Sequence, residues 1–165
     1  MTYAVNGEPE IQSSMRAPAA LPAGPLRVAE VMTHEAMTLD PRQTLADVVA
    51  LMATRSFHHV LVVDPDDRLC GVISDRDVLR ALSRTPNWNN RNVSEVMTQE
   101  SVTATPEMLI SAAAHKMLER RINCLPVIGA DGRVCGILTS TDLLKAYVSV
   151  QSALEKFYQR NGTGE

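Results

Sequence analysis

The sequence predicts an α+β fold made of two copies of one unit, in which a short strand is followed by a helix, a β-hairpin and a second helix. The first observation is an internal repeat, because Val31-Met32-Thr33 returns as Val96-Met97-Thr98, 65 positions further along the chain. Without any gap, residues 28–82 and 93–147 share 18 identities in 55 positions. The second observation is that helical and strand-like hydrophobic patterns alternate in the same order in both copies. Such a repeat indicates two copies of one structural unit.

The segments outside the repeats carry different signals. Before the first repeat, Pro18, Pro22, Gly24 and Pro25 interrupt any helix or strand, which predicts a flexible tail. Between the repeats, the stretch around Thr85-Pro86-Asn87 lacks periodicity and is predicted to be a linker. The predicted boundaries are 1–27 for the tail, 28–82 for repeat 1, 83–92 for the linker, 93–149 for repeat 2 and 150–165 for a helical extension and tail.

The first helix of each repeat is predicted to begin at an acid or hydroxyl residue followed by proline. Asp40-Pro41 and Thr105-Pro106 supply a side-chain cap and a proline at the first helical position. Apolar residues then follow with the i, i+3, i+4, i+7 spacing of a buried helix face. They are Leu45, Val48, Val49 and Met52 in the first repeat, and Ile110, Ala113, Ala114 and Met117 in the second.

A β-hairpin is predicted after each of these helices. In the first repeat, apolar runs at 60–63 and 69–73 flank the turn-forming residues 64–68, and residues 129–133 form the equivalent turn in the second repeat. A second helix is expected to follow each hairpin, from about residue 76 to 83 and from about residue 141 onwards.

The last helix is predicted to continue past the second repeat as far as Asn161-Gly162. Apolar residues on this helix are spaced by alternating steps of four and three, which is typical of a narrow seam that packs against another helix. The neighbouring helix can belong to the same chain or to a second copy, and we expect a homodimer. The seam consists of Leu143, Tyr147, Val150, Leu154 and Phe157.

Composition excludes several classes of function. With a formal net charge of −3 at pH 7, the chain has no long-range attraction for nucleic acid or an anionic membrane, so neither partner is expected. No apolar run approaches the roughly 20 residues that span a bilayer, and no secretory leader is recognisable. Cys70, Cys124 and Cys135 form no CxxC pair, which disfavours a disulfide framework or a structural zinc site. These features favour a soluble cytoplasmic protein with no metal site and no required cofactor.

The motif that most strongly suggests a binding site lies where a strand is predicted to pass into a helix. Residues 71–77, Gly-Val-Ile-Ser-Asp-Arg-Asp, return at 136–142 as Gly-Ile-Leu-Thr-Ser-Thr-Asp. A hydroxyl residue followed three positions later by Asp is typical of a capping box. The same carboxylate can also accept the hydroxyls of a ribose, while the hydroxyl side chain and the helix N-terminus contact a phosphate. The two roles are compatible.

Taken together, the doubled Val-Met-Thr, the doubled Gly-x-x-Ser/Thr-x-x-Asp and Leu125-Pro126-Val127 resemble a pair of cystathionine-β-synthase-type (CBS) domains over about residues 28–149. The resemblance implies two β-α-β-β-α units related by a pseudo-twofold axis, with two clefts between their sheets. It implies AMP, ADP or ATP as ligand, or less often S-adenosylmethionine, and a regulatory role as an energy or ligand sensor. The output would pass to a separate effector protein or through the oligomeric state.

By position, the resemblance makes Asp77 and Asp142 ribose-binding residues, and it places Ser74, Thr139 and Thr141 near ribose and phosphate. Arg76 lies where a cation can reach a phosphate, although a solvated residue in the first helical turn is the alternative. We expect the copy that contains Thr139, Thr141 and Asp142 to matter more for binding.

His58 and His59 precede a strand where nucleotide-binding relatives carry a His-Arg pair that contacts phosphate. Adjacent strand residues point to opposite faces, so at most one of them is expected to face a given cleft well. The second repeat has Asn123-Cys124 there, which predicts chemically unequal clefts. Pro126 removes a backbone donor and leaves nearby backbone groups free for an adenine edge, whereas the first repeat has Leu61.

Two other functions are compatible with the sequence. The repeats can serve only for protein interaction and dimerisation, without a ligand. An enzyme is the weakest interpretation, because neither the adjacent histidines nor the scattered cysteines suggest a nucleophile, a base and an oxyanion site in one pocket.

Overall fold

The computed structural model describes residues 24–55, 57–84 and 86–161 together with Pro22, and for Arg55 only the backbone. Most of the predicted tail and the predicted stop at Gly162 lie outside these residues. Within these residues lie four helices and five strands, with short 3₁₀ turns at Val28–Glu30, Trp88–Asn90 and Val93–Glu95. The elements are β1 (Thr38–Leu39), α1 (Leu45–Arg55), β2 (His59–Val63), β3 (Leu69–Ser74), α2 (Asp75–Arg84), α3 (Ile110–Arg120), β4 (Cys124–Ile128), β5 (Val134–Thr139) and α4 (Ser140–Asn161).

Each repeat contains a small sheet that is built around the predicted hairpin. In repeat 1, β2 pairs with β3 in an antiparallel and with β1 in a parallel arrangement. In repeat 2, β4 pairs with β5 in an antiparallel arrangement, and an isolated parallel bridge between Ala104 and Val127 takes the place of the β1 pairing. The α+β fold and the doubled unit that the sequence predicts are therefore confirmed.

The opening segment of each repeat packs against the other repeat. The backbone N–H of Val28 donates to the carbonyl of Met108 at 2.8 Å, and the N–H of Val93 donates to the carbonyl of Gln43 at 2.8 Å. Thr33 pairs with Ile137 through two bonds of 2.9 Å, and Thr98 pairs in the same way with Val72. We call these opening segments, residues 28–33 and 93–98, the exchanged segments. They also complete the cores, since Val28 and Met32 lie in the core of repeat 2, and Val93 in that of repeat 1.

Two glycines permit this exchange because a backbone carbonyl passes directly over them. A Cβ on Gly71 would lie 2.7 Å from the carbonyl oxygen of Thr98, and a Cβ on Gly136 would lie 2.7 Å from that of Thr33. Contacts this short between a side-chain carbon and a backbone oxygen are repulsive. The Cys-Gly pair in each repeat therefore marks the position where the exchanged segment crosses the strand.

The predicted start of the first helix in each repeat is wrong by about four residues. Helix α1 begins at Leu45, and Asp40 instead closes a turn by accepting a 2.8 Å hydrogen bond from the N–H of Arg42. The N–H of Leu45 donates to the carbonyl of Arg91 at 2.9 Å, and the N–H of Ile110 donates to the carbonyl of Leu26 at 3.0 Å. Both acceptors lie just before an exchanged segment. The first free donor of each helix is therefore satisfied by a tertiary contact and not by the Asp-Pro or Thr-Pro pair.

Helix α4 continues through the predicted extension as one helix of 22 residues. The predicted seam is only partly covered, because Leu143, Val150 and Leu154 are half-buried while Tyr147 and Phe157 are 62% and 50% exposed. Within the described part of the chain, no helix combines the length and the apolar character that crossing a membrane requires.

Candidate functional site

A cavity of about 690 Å³ lies between the two repeats and is lined by residues of both. Its walls include the strand-to-helix junctions before α2 and α4, together with the exchanged segments that cross from one sheet to the other. All ten residues that the sequence analysis proposes as a binding site line this cavity. They are His58, His59, Ser74, Arg76, Asp77, Asn123, Pro126, Thr139, Thr141 and Asp142.

At the start of α2, the hydroxyl and carboxylate of the motif form a capping box. The N–H and hydroxyl of Ser74 donate to Oδ2 of Asp77 at 3.0 and 2.6 Å, and the N–H of Asp77 donates back to Oγ of Ser74 at 3.3 Å. The second carboxylate oxygen, Oδ1, accepts a 3.2 Å hydrogen bond from Nη1 of Arg80, one turn further along the helix. Both oxygens of Asp77 therefore have partners within α2 and its cap.

The same capping box occurs at the start of α4, but there the aspartate accepts fewer hydrogen bonds from the described residues. The N–H and hydroxyl of Thr139 donate to Oδ2 of Asp142 at 2.8 and 2.6 Å. Asp142 is only 7% exposed, and no other described residue donates a hydrogen bond to its Oδ1. Lys145, which is equivalent to Arg80, forms no ion pair with it in the described part of the chain. The capping interpretation of the motif is confirmed in both repeats.

The two adjacent histidines have different surroundings. His58 lies before β2, is largely exposed and forms a 3.0 Å ion pair through Nδ1 with Oδ2 of Asp75. Burial is the largest single influence on Asp75 and opposes its ionisation, but the hydrogen bonds from His58 and from the N–H of Arg76, together with the two nearby histidines, outweigh it and lower the pKa of Asp75. His59 begins β2 and is half-buried, and burial lowers its pKa despite the nearby carboxylates of Asp75 and Asp77. His59 is therefore protonated less readily in this structure than a histidine in water.

The equivalent positions in repeat 2 are uncharged. Asn123 is exposed, and its carbonyl accepts a hydrogen bond of 2.9 Å from the N–H of Ser140 at the start of α4. Cys124 is buried between the two sheets, where burial, together with the Asp77 carboxylate, raises the pKa of its thiol to about 12. This thiol is therefore a neutral residue of the cavity wall.

Pro126 changes the backbone hydrogen bonding in the way that the sequence predicts. In repeat 1, the N–H of Leu61 donates to the carbonyl of Met37 at 2.9 Å. Pro126 occupies the equivalent position in repeat 2 and has no N–H, so the corresponding carbonyl of Val102 receives no hydrogen bond from any described residue. Val102 lines the cavity, where its carbonyl can accept a hydrogen bond from a ligand.

Sequence reasoning missed several charged residues of the cavity. Arg80 and Lys145 could have been found, because both follow the motif aspartate by three positions and therefore share its helix face. Arg121 has a left-handed backbone with φ of 54° at the end of α3, and no sequence pattern indicates it. The lining has four basic groups against five acidic ones: Arg76, Arg80, Arg121 and Lys145 against Glu35, Asp75, Asp77, Glu100 and Asp142. Binding of a phosphate would therefore depend on individual contacts and not on the net charge of the cavity lining.

Comparison with known proteins identifies the repeats. The sequence profile of the CBS domain matches residues 28–84 and 93–149. The structure of AcuB from Vibrio cholerae superposes with a TM-score of 0.73 at 29% identity, covering 79% of this chain and 96% of that chain. The AMP complex of CBSX2, a protein of Arabidopsis thaliana, superposes with a TM-score of 0.69 at 25% identity, covering 76% and 98%.

Relatives with curated names are longer proteins. Inosine-5'-monophosphate dehydrogenase of Methanocaldococcus jannaschii is 32% identical over 127 residues, which is 77% of this chain and 25% of the enzyme. Homoserine O-acetyltransferase of Methanococcus vannielii is 29% identical over 116 residues, or 70% of this chain and 24% of the enzyme. The chain therefore spans about a quarter of the length of these two enzymes.

Proposed function

The chain belongs to the CBS-domain family, and from this premise we propose that it is a regulatory module that binds an adenine nucleotide in the cavity between its repeats. The observation that carries the proposal is the pair of hydroxyl-carboxylate motifs, because both open onto one cavity that is large enough for a nucleotide. The relative CBSX2 has been solved with AMP bound. We take AMP, ADP or ATP as the ligand, with S-adenosylmethionine as an alternative, and no required cofactor.

The proposed contacts follow from the chemistry of the cavity wall. Asp77 and Asp142 accept hydrogen bonds from ribose hydroxyls, with Ser74 and Thr139 holding the carboxylates in place. Basic, hydroxyl and amide side chains around them bind the phosphates, and the basic ones supply the stronger, charge-assisted hydrogen bonds. The phosphate contacts are Arg76, His58, His59, Asn123 and Thr141, and the adenine lies near Pro126.

A ligand in this cavity would contact both repeats and both exchanged segments, which supports a regulatory role. Such a ligand shifts the equilibrium between packed and loosened arrangements of the repeats only if it binds one of them more tightly. We propose that this change is passed to a separate effector protein or to the oligomeric state, in the cytoplasm. The names of the longer enzymes are not transferred to this chain, because it covers only about a quarter of each.

A thermal-shift screen with AMP, ADP, ATP and S-adenosylmethionine tests this function. A ligand present at 100 times its dissociation constant stabilises the folded state by about 2.7 kcal/mol. For a chain of this size, about 1 kcal/mol raises the melting temperature by roughly 2–4 °C. We expect at least one adenine nucleotide to produce such a rise. If all four ligands leave the melting temperature unchanged, the nucleotide-binding function is wrong.

A ligand-free dimerisation module is the second candidate, and the exposed apolar side chains of α2 and α4 favour it. Leu79 and Leu144 are equivalent residues of the two repeats and are 64% and 65% exposed, and Phe157 and Tyr158 extend the apolar surface along α4. Truncation after Val148 tests the seam, since it should lower the mass measured by light scattering if α4 forms the homodimer. An unchanged dimer would instead assign the interface to the faces of α2 and α4 within the repeats.

A further inference from the structure

Helix α3 ends in a Schellman motif, and Arg121 occupies the left-handed position of that motif. The N–H of Ile122 donates to the carbonyl of Met117 at 3.0 Å, the N–H of Arg121 donates to that of Leu118 at 3.3 Å, and Arg121 has a φ of 54°. Glycine is the usual residue at this position, because a Cβ makes the left-handed backbone unfavourable. Arg121 is therefore expected to make the fold less stable than a glycine would.

Few residues share this backbone conformation. In the described part of the chain, Asp67 is the other non-glycine residue with a positive φ, and aspartate adopts this conformation more readily than most residues do. Arg121 is thus the described residue whose type fits its backbone least well. Backbone outliers of this kind occur most often at binding sites, where the side chain is needed at that position.

The side chain of Arg121 lies where a cation can contact a ligand. The residue is exposed, lines the cavity between the repeats and forms no ion pair with any residue that the structure describes. Arg80 and His58 line the same cavity but already form ion pairs with aspartates of α2. Repeat 1 has Ser56 at the position equivalent to Arg121, so this cation belongs to repeat 2 alone.

Two other basic residues of the cavity, Arg76 and Lys145, also lack an ion pair within the described residues. Both lie in helices, α2 and α4, where arginine and lysine are favourable residues. The fold accommodates them without strain. Arg121 differs from them because its backbone conformation disfavours its residue type.

Attraction between a basic side chain and the C-terminus of a helix is the alternative explanation for Arg121. Arg120 already places a positive charge in the last turn of α3, in a helical conformation. The substitution Arg121→Gly would keep that charge and remove the unfavourable backbone conformation. The end of α3 therefore does not require an arginine at the left-handed position.

We propose that Arg121 binds the phosphate of the nucleotide, so that the cavity selects a phosphorylated ligand over the corresponding nucleoside, although this arginine destabilises the fold. The inference rests on the proposed nucleotide-binding function and identifies a residue that recognises the phosphate. A guanidinium group can donate two parallel, charge-assisted hydrogen bonds to one phosphate. Because adenosine and AMP differ only in the phosphate, the difference between their affinities measures this contact.

Thermal melting of the free protein and calorimetry with AMP and adenosine test the proposal on the full chain. We expect Arg121→Gly to raise the melting temperature without ligand by about 1–3 °C, because it removes the left-handed strain. The same substitution should weaken AMP binding by about tenfold or more, and adenosine binding by less than about twofold. Arg121→Lys keeps a positive charge near the phosphate and should retain more of the AMP affinity than Arg121→Gly does.

Arg120→Gly is the matched control. Arg120 is also exposed and basic, but it lies in the helix and, in the described part of the chain, outside the cavity lining. Glycine is unfavourable in a helix, so this variant should melt below wild type. It should bind AMP and adenosine within about twofold of wild type. The two neighbouring substitutions thus have opposite expected effects on stability, and only Arg121→Gly is expected to weaken AMP binding.

Each alternative result has a distinct meaning. If wild type binds adenosine as tightly as AMP, or if Arg121→Gly changes the two affinities equally, the assignment of the phosphate to Arg121 is wrong and nucleotide binding is left intact. If Arg121→Gly melts at or below the temperature of wild type, the arginine supports the end of α3 and the proposal is also wrong. Failure of wild type to bind any of the adenine nucleotides would overturn the proposed function together with this inference.

Discussion

Repeat 1 and repeat 2 place equivalent residues, 65 positions apart in the sequence, against the same cavity, and these residues differ in what they already bind. The capping boxes are the same to within 0.2 Å, since the N–H bonds to Asp77 and Asp142 measure 3.0 and 2.8 Å. Around them, repeat 1 carries charged pairs and repeat 2 carries mostly neutral side chains. Backbone geometry has thus been kept in both copies while the side chains that face the cavity have diverged.

Positions that the fold requires are the same in both repeats, whereas side chains that the fold does not require differ. Both helices need a cap and both strands need space for an exchanged segment, so these positions are constrained by folding in both copies. In contrast, the ion pair between His58 and Asp75 is exposed and contributes little to stability. Asn123 and Ser140 could therefore replace this pair in repeat 2 at little cost to the fold.

The largest effect on stability is expected from alanine at the two crossing glycines, and it should be nearly equal in the two repeats. The added methyl of Gly71→Ala or Gly136→Ala would lie 2.7 Å from a backbone oxygen of the exchanged segment. Overpacking of this kind costs about 1–3 kcal/mol. Thermal melting should show a loss of roughly 2–4 °C for each kcal/mol.

Gly24→Ala is the matched control for these variants, because a Cβ at Gly24 meets no atom within 4 Å. We expect it to melt like wild type. If Gly71→Ala or Gly136→Ala also melts like wild type, the exchanged segments are not held as closely as the structure indicates.

A smaller effect, again similar in both repeats, is expected from removal of the capping hydroxyls. Ser74→Ala and Thr139→Ala each delete the oxygen that accepts the aspartate N–H at 3.3 Å, at a cost of about 0.5–2 kcal/mol. Melting in the absence of nucleotide measures this cost. Ser74→Thr and Thr139→Ser retain the hydroxyl and should melt close to wild type. Alanine variants with unchanged stability would mean that the hydroxyls contribute only to ligand binding.

The smallest expected effect is confined to repeat 1 and concerns the pH dependence of AMP affinity. Burial lowers the pKa of His59 in the free protein, and a nearby phosphate would raise it in the complex. AMP affinity should therefore be highest at low pH and decrease as the pH rises through the pKa of the complex. Ionisation of the secondary phosphate near pH 6 acts in the opposite direction.

Calorimetry between about pH 5.5 and 8 isolates the contribution of His59 when wild type is compared with His59→Gln. His58→Gln controls for the exposed histidine, and adenosine, which has no phosphate, should show none of this dependence. Identical pH profiles for wild type and His59→Gln would exclude His59 as a phosphate contact.

Much of the fold follows from local sequence patterns, and the exceptions have a common cause. The hairpins at 60–63 and 69–73 agree with β2 and β3 because alternating apolar runs and turn residues are properties of neighbouring residues. The prediction at Asp40-Pro41 is wrong because α1 is capped four residues later by Thr44, whose N–H and hydroxyl donate to Oδ2 of Asp47 at 2.8 Å. The N–H of Leu45 also donates to the carbonyl of Arg91, 46 positions further along the chain, and a partner this distant leaves no local pattern.

The candidate site likewise combines features that follow from the sequence with features that do not. Nine of the ten proposed residues line one cavity because the repeat places them where β2 and β4 begin or where a strand passes into α2 or α4, and a fixed offset in the sequence reveals that equivalence. Pro126, within β4, is the tenth. The offset also relates Leu61 to Pro126 and Arg80 to Lys145, but it does not indicate which acceptors are free. That depends on the distance between Arg80 and Asp77 and on the hydrogen bond by which Leu61 occupies the Met37 carbonyl.

The order of the residues is enough to show that this protein has two copies of one α+β unit, that the repeated hydroxyl-carboxylate motifs cap α2 and α4, and which side chains are candidates for nucleotide binding. Periodicity, turn chemistry and the repeat are short-range or translational properties, so they can be read from the order of residues. The three-dimensional structure was needed to show that Val28 and Val93 pack into the core of the opposite repeat. It also shows that, among the residues the structure describes, Oδ1 of Asp77 accepts a hydrogen bond from Arg80 whereas Oδ1 of Asp142 accepts none. These features depend on contacts between residues far apart in the chain, whose geometry is set by packing and not by spacing.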